Sequence, residues 1–126
     1  MGDSEHWKTE PDENDYAAAA RYLGLLLDEA KAQSVAHHLA EAPILRRRAN
    51  DLLRASALPP LPSDDPEVAK DLKRVKKGRA MSPVLLVRGE IGRHRLVVAD
   101  GYHRICASYH LDEDTEIPCR MVALPA

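Results

Sequence analysis

The sequence predicts a small α+β (α/β) chain in which a cluster of about three short helices precedes a sheet with flanking helices. Three observations predict it. Apolar residues recur three or four apart through the first half. The stretch Ala57-Leu58-Pro59-Pro60-Leu61-Pro62-Ser63 then removes amide donors and fixes extended angles, which ends helical structure. Beyond it, β-branched runs alternate with helix signals.

Residues 1–15 carry Asp3, Glu5, Glu10, Asp12, Glu13 and Asp15 against Lys8. So little apolar area cannot repay ordering, and the segment is expected as a mobile acidic tail. Trp7 stands out in it as a lone aromatic. Residues 16–56 read as the helical segment. Its first stripe is Tyr16, Ala19, Leu23, Leu27 and Ala30, with Asp15 as the cap. A second helix through Ala32, Val35, Leu39 and Ala42 stops at Pro43. A third stripe, Leu45, Ala49, Leu52 and Leu53, ends at Ser56.

Residues 57–126 make up the α/β part, packed with the rest as one compact unit. Asp65-Pro66-Glu67 reads as a helix start, with Asp65 as cap and proline at the first position. That helix should reach about Lys77, stopped by Gly78. The aliphatic run Val84 to Val87 suits a strand covered on both faces, and Gly89 and Gly92 flank a turn into His94–Ala99, making a hairpin. A short helix from Gly101 through Tyr109 follows, then an acidic loop, Asp112–Glu116, and a last strand, Ile117 to Val122. Pro118 assigns that strand to a sheet edge.

The bulk properties narrow the partners. A chain of 126 residues builds one core. Its formal charge of −2 exerts no global pull on nucleic acid or anionic membrane, so a DNA contact would need a local patch. No apolar segment reaches membrane-spanning length, and no membrane partner is expected. With only Cys106 and Cys119, a disulfide framework is excluded and a reducing, cytoplasmic setting is expected. His37 and His38 are adjacent and point in different directions on a helix, and neither they nor the pair His103 and His110 support a dedicated site, so no intrinsic metal site is expected.

The chemistry concentrates in Asp100-Gly101-Tyr102-His103-Arg104, where a strand runs through glycine straight into a helix. Gly101 permits close backbone approach, the first helical amides lack internal partners, and the helix dipole adds positive charge there. Arg104 can give two parallel bonds to one phosphate, each worth roughly 1.5–3 kcal/mol, against about 0.3–1 kcal/mol for the dipole. The plainer alternative is an Asp-Gly turn with Arg104 paired to Asp112 or Glu113 on the surface.

At these residues the chain resembles the ParB/sulfiredoxin superfamily, whose members share a glycine, two residues, arginine, two residues, alanine arrangement, here Gly101, Arg104 and Ala107. Sulfiredoxins carry a Gly-Gly-Cys-His-Arg box and an isoleucine-proline strand. This chain offers Asp100-Gly101-Tyr102-His103-Arg104 and Ile117-Pro118, with Leu61-Pro62-Ser63 and Asp65-Pro66 similar upstream. The similarity spans about residues 58–123.

Tyr102 stands at the cysteine position and Pro59 at that of an upstream arginine, so sulfinic-acid reduction is not expected. The resemblance implies a small mixed sheet and the binding of a nucleotide (CTP, ATP or ADP), with Mg2+, or of another phosphate compound. It spans nucleotide hydrolases, phosphotransferases and nucleases without choosing among them, and a bacterial source is expected for this chain. On it, His103 is a proton shuttle or phosphate donor and Asp100 orients a metal ion or nucleophile. Gly101, Tyr102, His103 and Arg104 bind phosphate, helped by Lys70 and Lys73 on the preceding helix. Two rival readings are a DNA-associated protein using the basic face from Lys70 to Arg79, and an interaction module or homo-oligomer using alanine-rich helices.

Overall fold

The computed structural model describes residues 6–124. Four strands form one sheet: β1 (Leu45–Arg48), β2 (Val84–Val87), β3 (Val97–Asp100) and β4 (Glu116–Val122), in the order β1-β4-β2-β3. β1 pairs β4 and β2 pairs β3 antiparallel, while β2 and β4 run parallel, so the sheet is mixed. Five helices cover it: α1 (Glu13–Leu23), α2 (Glu29–Glu41), α3 (Ala49–Ser56), α4 (Pro66–Lys76) and α5 (Tyr102–Leu111).

The period-two alternation of strand side chains divides the core. Val84 and Leu86 of β2, with Ile117 and Cys119 of β4, face α3, α4 and α5. Leu85 and Val87, with Ala99 of β3, face Ala19 and Leu23 of α1 and Val35 and Leu39 of α2. The result is helix, sheet, helix in three layers. All four residues of β2 are buried, which explains why its sequence is apolar without alternation.

Helix ends follow their local chemistry. The Asp65 carboxylate accepts from the amides of Glu67 and Val68, with Pro66 opening α4. At the other end Gly78, at φ +81°, lets its own amide reach the Val75 carbonyl and that of Arg79 reach Arg74.

Several expectations are corrected. The third stripe is a helix only from Ala49; Leu45–Arg48 is β1, drawn into the sheet because β4 offers it a ladder from Cys119 to Glu116. Pro118 therefore lies in an interior strand. The β2 ladder starts one residue later, at Val84 and Cys119, so the missing amide falls at its margin. α1 ends at Leu23, and Leu27 and Ala30 lie beyond its helical stripe; Asp28 caps a fresh helix by accepting from Lys31. The cap of α1 is Asp12, and Asp15 reaches back from the first turn to accept the Asp12 amide at 2.9 Å.

The segment read as a tail also has a packing role from His6 onward. Trp7 is 5 % exposed and bridges Met81 in a short parallel pairing, with Lys8 N–H donating to the Met81 carbonyl and Met81 N–H to that of His6. Met1–Glu5 lie outside the described residues. Among the described residues no helix is long and apolar enough to cross a membrane.

Candidate functional site

β3 ends at Asp100, Gly101 turns the chain at φ +112°, and α5 begins at Tyr102. A β-carbon on Gly101 would stand 2.5 Å from Cγ1 of Val84, so both the angle and the close approach to β2 require glycine. The first α5 hydrogen bond is Ile105 N–H to the Gly101 carbonyl. The amides of Tyr102, His103 and Arg104 precede it, and Gly101 has no side chain with which to cap them.

The turn opens on a polar cleft of about 340 Å³. Asp100, Gly101, Tyr102, His103 and Arg104 all line it, as the sequence expectation grouped them. Lys70 and Lys73 do not: the face of α4 turned to the cleft carries Glu67, Asp71 and Arg74. Three- and four-residue spacing puts those three on one stripe and leaves the two lysines on solvent-facing positions.

Arg104 is held more tightly than a free phosphate ligand would be. Its Nη2 lies 2.5 Å from Oδ2 of Asp100, while Nη1 donates to the Ser82 carbonyl at 2.7 Å and stands 3.6 Å from Asp15. Asp112 and Glu113 are not its partners. The Arg104 side chain is 14 % exposed, and its contacts tie α5 to β3, to the loop before β2, and to α1. Burial pushes the Asp100 carboxyl above its ordinary value, and Asp15 pushes the same way, while the Arg104 charge pulls it down. Burial likewise raises Asp71, opposed by Arg104 and Arg74. Asp12 is held below the usual carboxylate range by the Lys8 ammonium at 3.1 Å and the Ser82 hydroxyl.

Five carboxylates, Asp12, Asp15, Glu67, Asp71 and Asp100, therefore share the cleft with Lys8, Arg74 and Arg104. His103 is exposed at its mouth. The sequence reading missed Asp12, Asp15, Asp71 and Arg74. Asp71 and Arg74 were legible as an i, i+3 pair on the stripe opposite the lysines, whereas nothing local in the sequence joins Asp15 to Arg104 across 89 positions. Among the described residues no three of His, Cys, Asp and Glu converge as metal ligands. One or two of these carboxylates with phosphate oxygens would still suit Mg2+, which is commonly shared between protein and nucleotide.

Tyr102 lines the cleft and also has a structural role. Its hydroxyl donates to the Pro59 carbonyl at 2.5 Å, and one and two turns on, Cys106 Sγ accepts from Leu61 N–H at 3.4 Å and His110 Nε2 lies 2.6 Å from the Leu61 carbonyl. Three successive turns of one helix face thereby hold the proline segment. Cys106 is fully buried and burial raises its thiol; burial pushes Cys119 up to about 11, so neither is poised as a nucleophile.

No family model, curated protein or solved structure matches the chain.

Proposed function

We propose that the cleft at Gly101–Arg104 binds the phosphate of a nucleotide or a similar small compound, brought in with Mg2+. The observation that carries this is the uncapped start of α5, its three amides and His103 opening on a polar cleft beside half-buried carboxylates. The amides and the helix dipole suit the phosphate oxygens. The carboxylates would repel a bare anion, and that repulsion is why a divalent cation belongs in the reading. When bound, the cation would neutralise phosphate charge, held by one or two of the cleft carboxylates together with the phosphate oxygens.

In this reading Arg104 is a positioning residue, because Asp100, Asp15 and the Ser82 carbonyl occupy its donors. Arg74 takes over the role of peripheral cation that the resemblance implied for Lys70 and Lys73. His103 is the proton-transferring group if phosphate moves, being the one imidazole lining the cleft. The resemblance of Gly101, Arg104 and Ala107 to the ParB/sulfiredoxin pattern supports the same ligand class, with hydrolase, phosphotransferase and nuclease chemistry as the reactions it spans.

Calorimetric titration of the full chain with CTP, ATP and ADP, with and without Mg2+, tests it. Binding that needs the cation and weakens in His103→Ala is expected; no heat with any nucleotide in either condition counts against it. The rival DNA reading rests on Lys70, Lys73 and Lys76 of α4 and its C-cap Lys77, which are exposed and have no ion-pair partner among the described residues. It predicts duplex binding that weakens steeply with salt and fails in Lys73→Glu/Lys77→Glu.

A further inference from the structure

A second concavity, of about 670 Å³, shares no lining residue with the phosphate cleft. It lies where the β2–β3 connection folds beside α3, pinned there by Leu96 N–H donating to the Ala55 carbonyl at 3.2 Å. Its floor is aliphatic: Leu52, Ala55, Leu96 and Met121. Its rim carries Arg47, Arg88, Arg93 and Arg95 against Asp51 and Glu90.

Both of those acids are already engaged, Asp51 with Arg54 at 3.3 Å and Glu90 with Arg93 at 3.4 Å. Arg47, Arg88 and Arg95 have no carboxylate partner among the described residues, so uncommitted positive charge surrounds an apolar floor. Ile91, between Gly89 and Gly92 in the connection, is fully exposed, the most exposed large apolar residue described. Ile91 lines the same groove, so its exposed side chain extends the apolar surface from the floor to the rim. No Phe, Tyr or Trp lines the groove to stack a base, and the one imidazole there, His94, has its Nδ1 3.0 Å from the Arg95 carbonyl.

We infer that this groove docks an acidic polypeptide segment of a partner protein, its carboxylates on Arg47, Arg88 and Arg95 and an aliphatic side chain on the Leu52–Met121 floor. The charge pattern is complementary to such a segment, and the apolar anchor supplies what exposed ion pairs alone do not. The proposal is independent of the phosphate reading.

The test is selection of short random peptides on the immobilised full chain, with a DNA duplex titrated in parallel. Enriched peptides are expected to combine Asp or Glu with Leu, Ile or Val. Their affinity should fall by roughly tenfold or more in Arg88→Glu/Arg95→Glu, consistent with loss of charge pairs at an interface. Ile91→Ser should weaken the same peptides while leaving the denaturation midpoint unchanged, because Ile91 buries nothing in the free chain. Both arginines are exposed and have no carboxylate partner among the described residues, so circular dichroism should show the double variant folded. Selection that yields no acidic-aliphatic motif, or peptides indifferent to the double variant, overturns the proposal. So does duplex DNA binding that depends on Arg88 and Arg95 where peptide binding does not.

Discussion

Arg104 Nη2 and Asp100 Oδ2 stand 2.5 Å apart, joining the first turn of α5 to the last residue of β3 across the glycine between them. The pair closes the strand-to-helix turn from both sides, and Asp15 at 3.6 Å extends it to the first helix of the chain. Removing the cation strands two carboxylates that are each less than one-fifth exposed.

Arg104→Ala is accordingly expected to destabilise the fold by about 2–3 kcal/mol, the scale of leaving a partly buried charge unpaired and several hydrogen bonds unmade. Urea denaturation measures it. Arg104→Lys should recover only part of the loss, since an ammonium cannot span Asp100 and the Ser82 carbonyl in one plane. Equal stability of Arg104→Ala and wild type would show that the latch contributes nothing.

Gly101→Ala should cost about 2 kcal/mol or more, through strain at φ +112° and a β-carbon 2.5 Å from Val84. The same denaturation series applies, and Gly78→Ala is its control. Gly78 also has positive φ but no atom within 4 Å of an added β-carbon, so its loss should be smaller.

Tyr102→Phe keeps the ring and removes the hydroxyl that donates to Pro59. A loss of about 1 kcal/mol is expected, with nucleotide binding unchanged, because the hydroxyl points to the proline segment. A large loss of binding with intact stability would move Tyr102 from structure to ligand contact.

Burial raises the Asp71 carboxyl above its ordinary 3.8, so the folded state holds that proton more readily than the unfolded chain. Between the unfolded and the folded value the native state binds more protons, and stability falls as pH rises through that window. Asp71→Asn removes the titration. The stability of wild type relative to the variant should therefore decline as pH climbs from below 3.8 and then level off, measured by denaturant midpoints across acidic pH. A relative stability that rises over the same range would contradict the burial account.

Much of this fold was legible because its signals are local. The Asp65 cap, Pro66, the Gly78 stop, the β2 run and the turn through Gly101 each depend on neighbours within a few residues. What escaped depends on distance. Leu45–Arg48 carries a helical stripe into Ala49–Ser56 and becomes a strand only because β4, some seventy positions later, presents an edge. Pro118 looks like an edge residue until β1 covers it. Composition assigned Trp7 to a tail, and Met81 buries it. The site divides the same way: Asp100 to Arg104 are contiguous and were grouped, whereas Asp12 and Asp15 reach the cleft only through folding.

We propose that phosphate seats on the start of α5. Backbone amide NMR of the full chain, titrated with ADP, ATP or CTP in the presence of Mg2+, reads that position directly. The account predicts saturable shifts centred on Gly101, Tyr102, His103 and Arg104, extending to Asp71 and Asp15 and absent at Arg88–Leu96. Shifts confined to other surfaces, or none with any nucleotide, would contradict it.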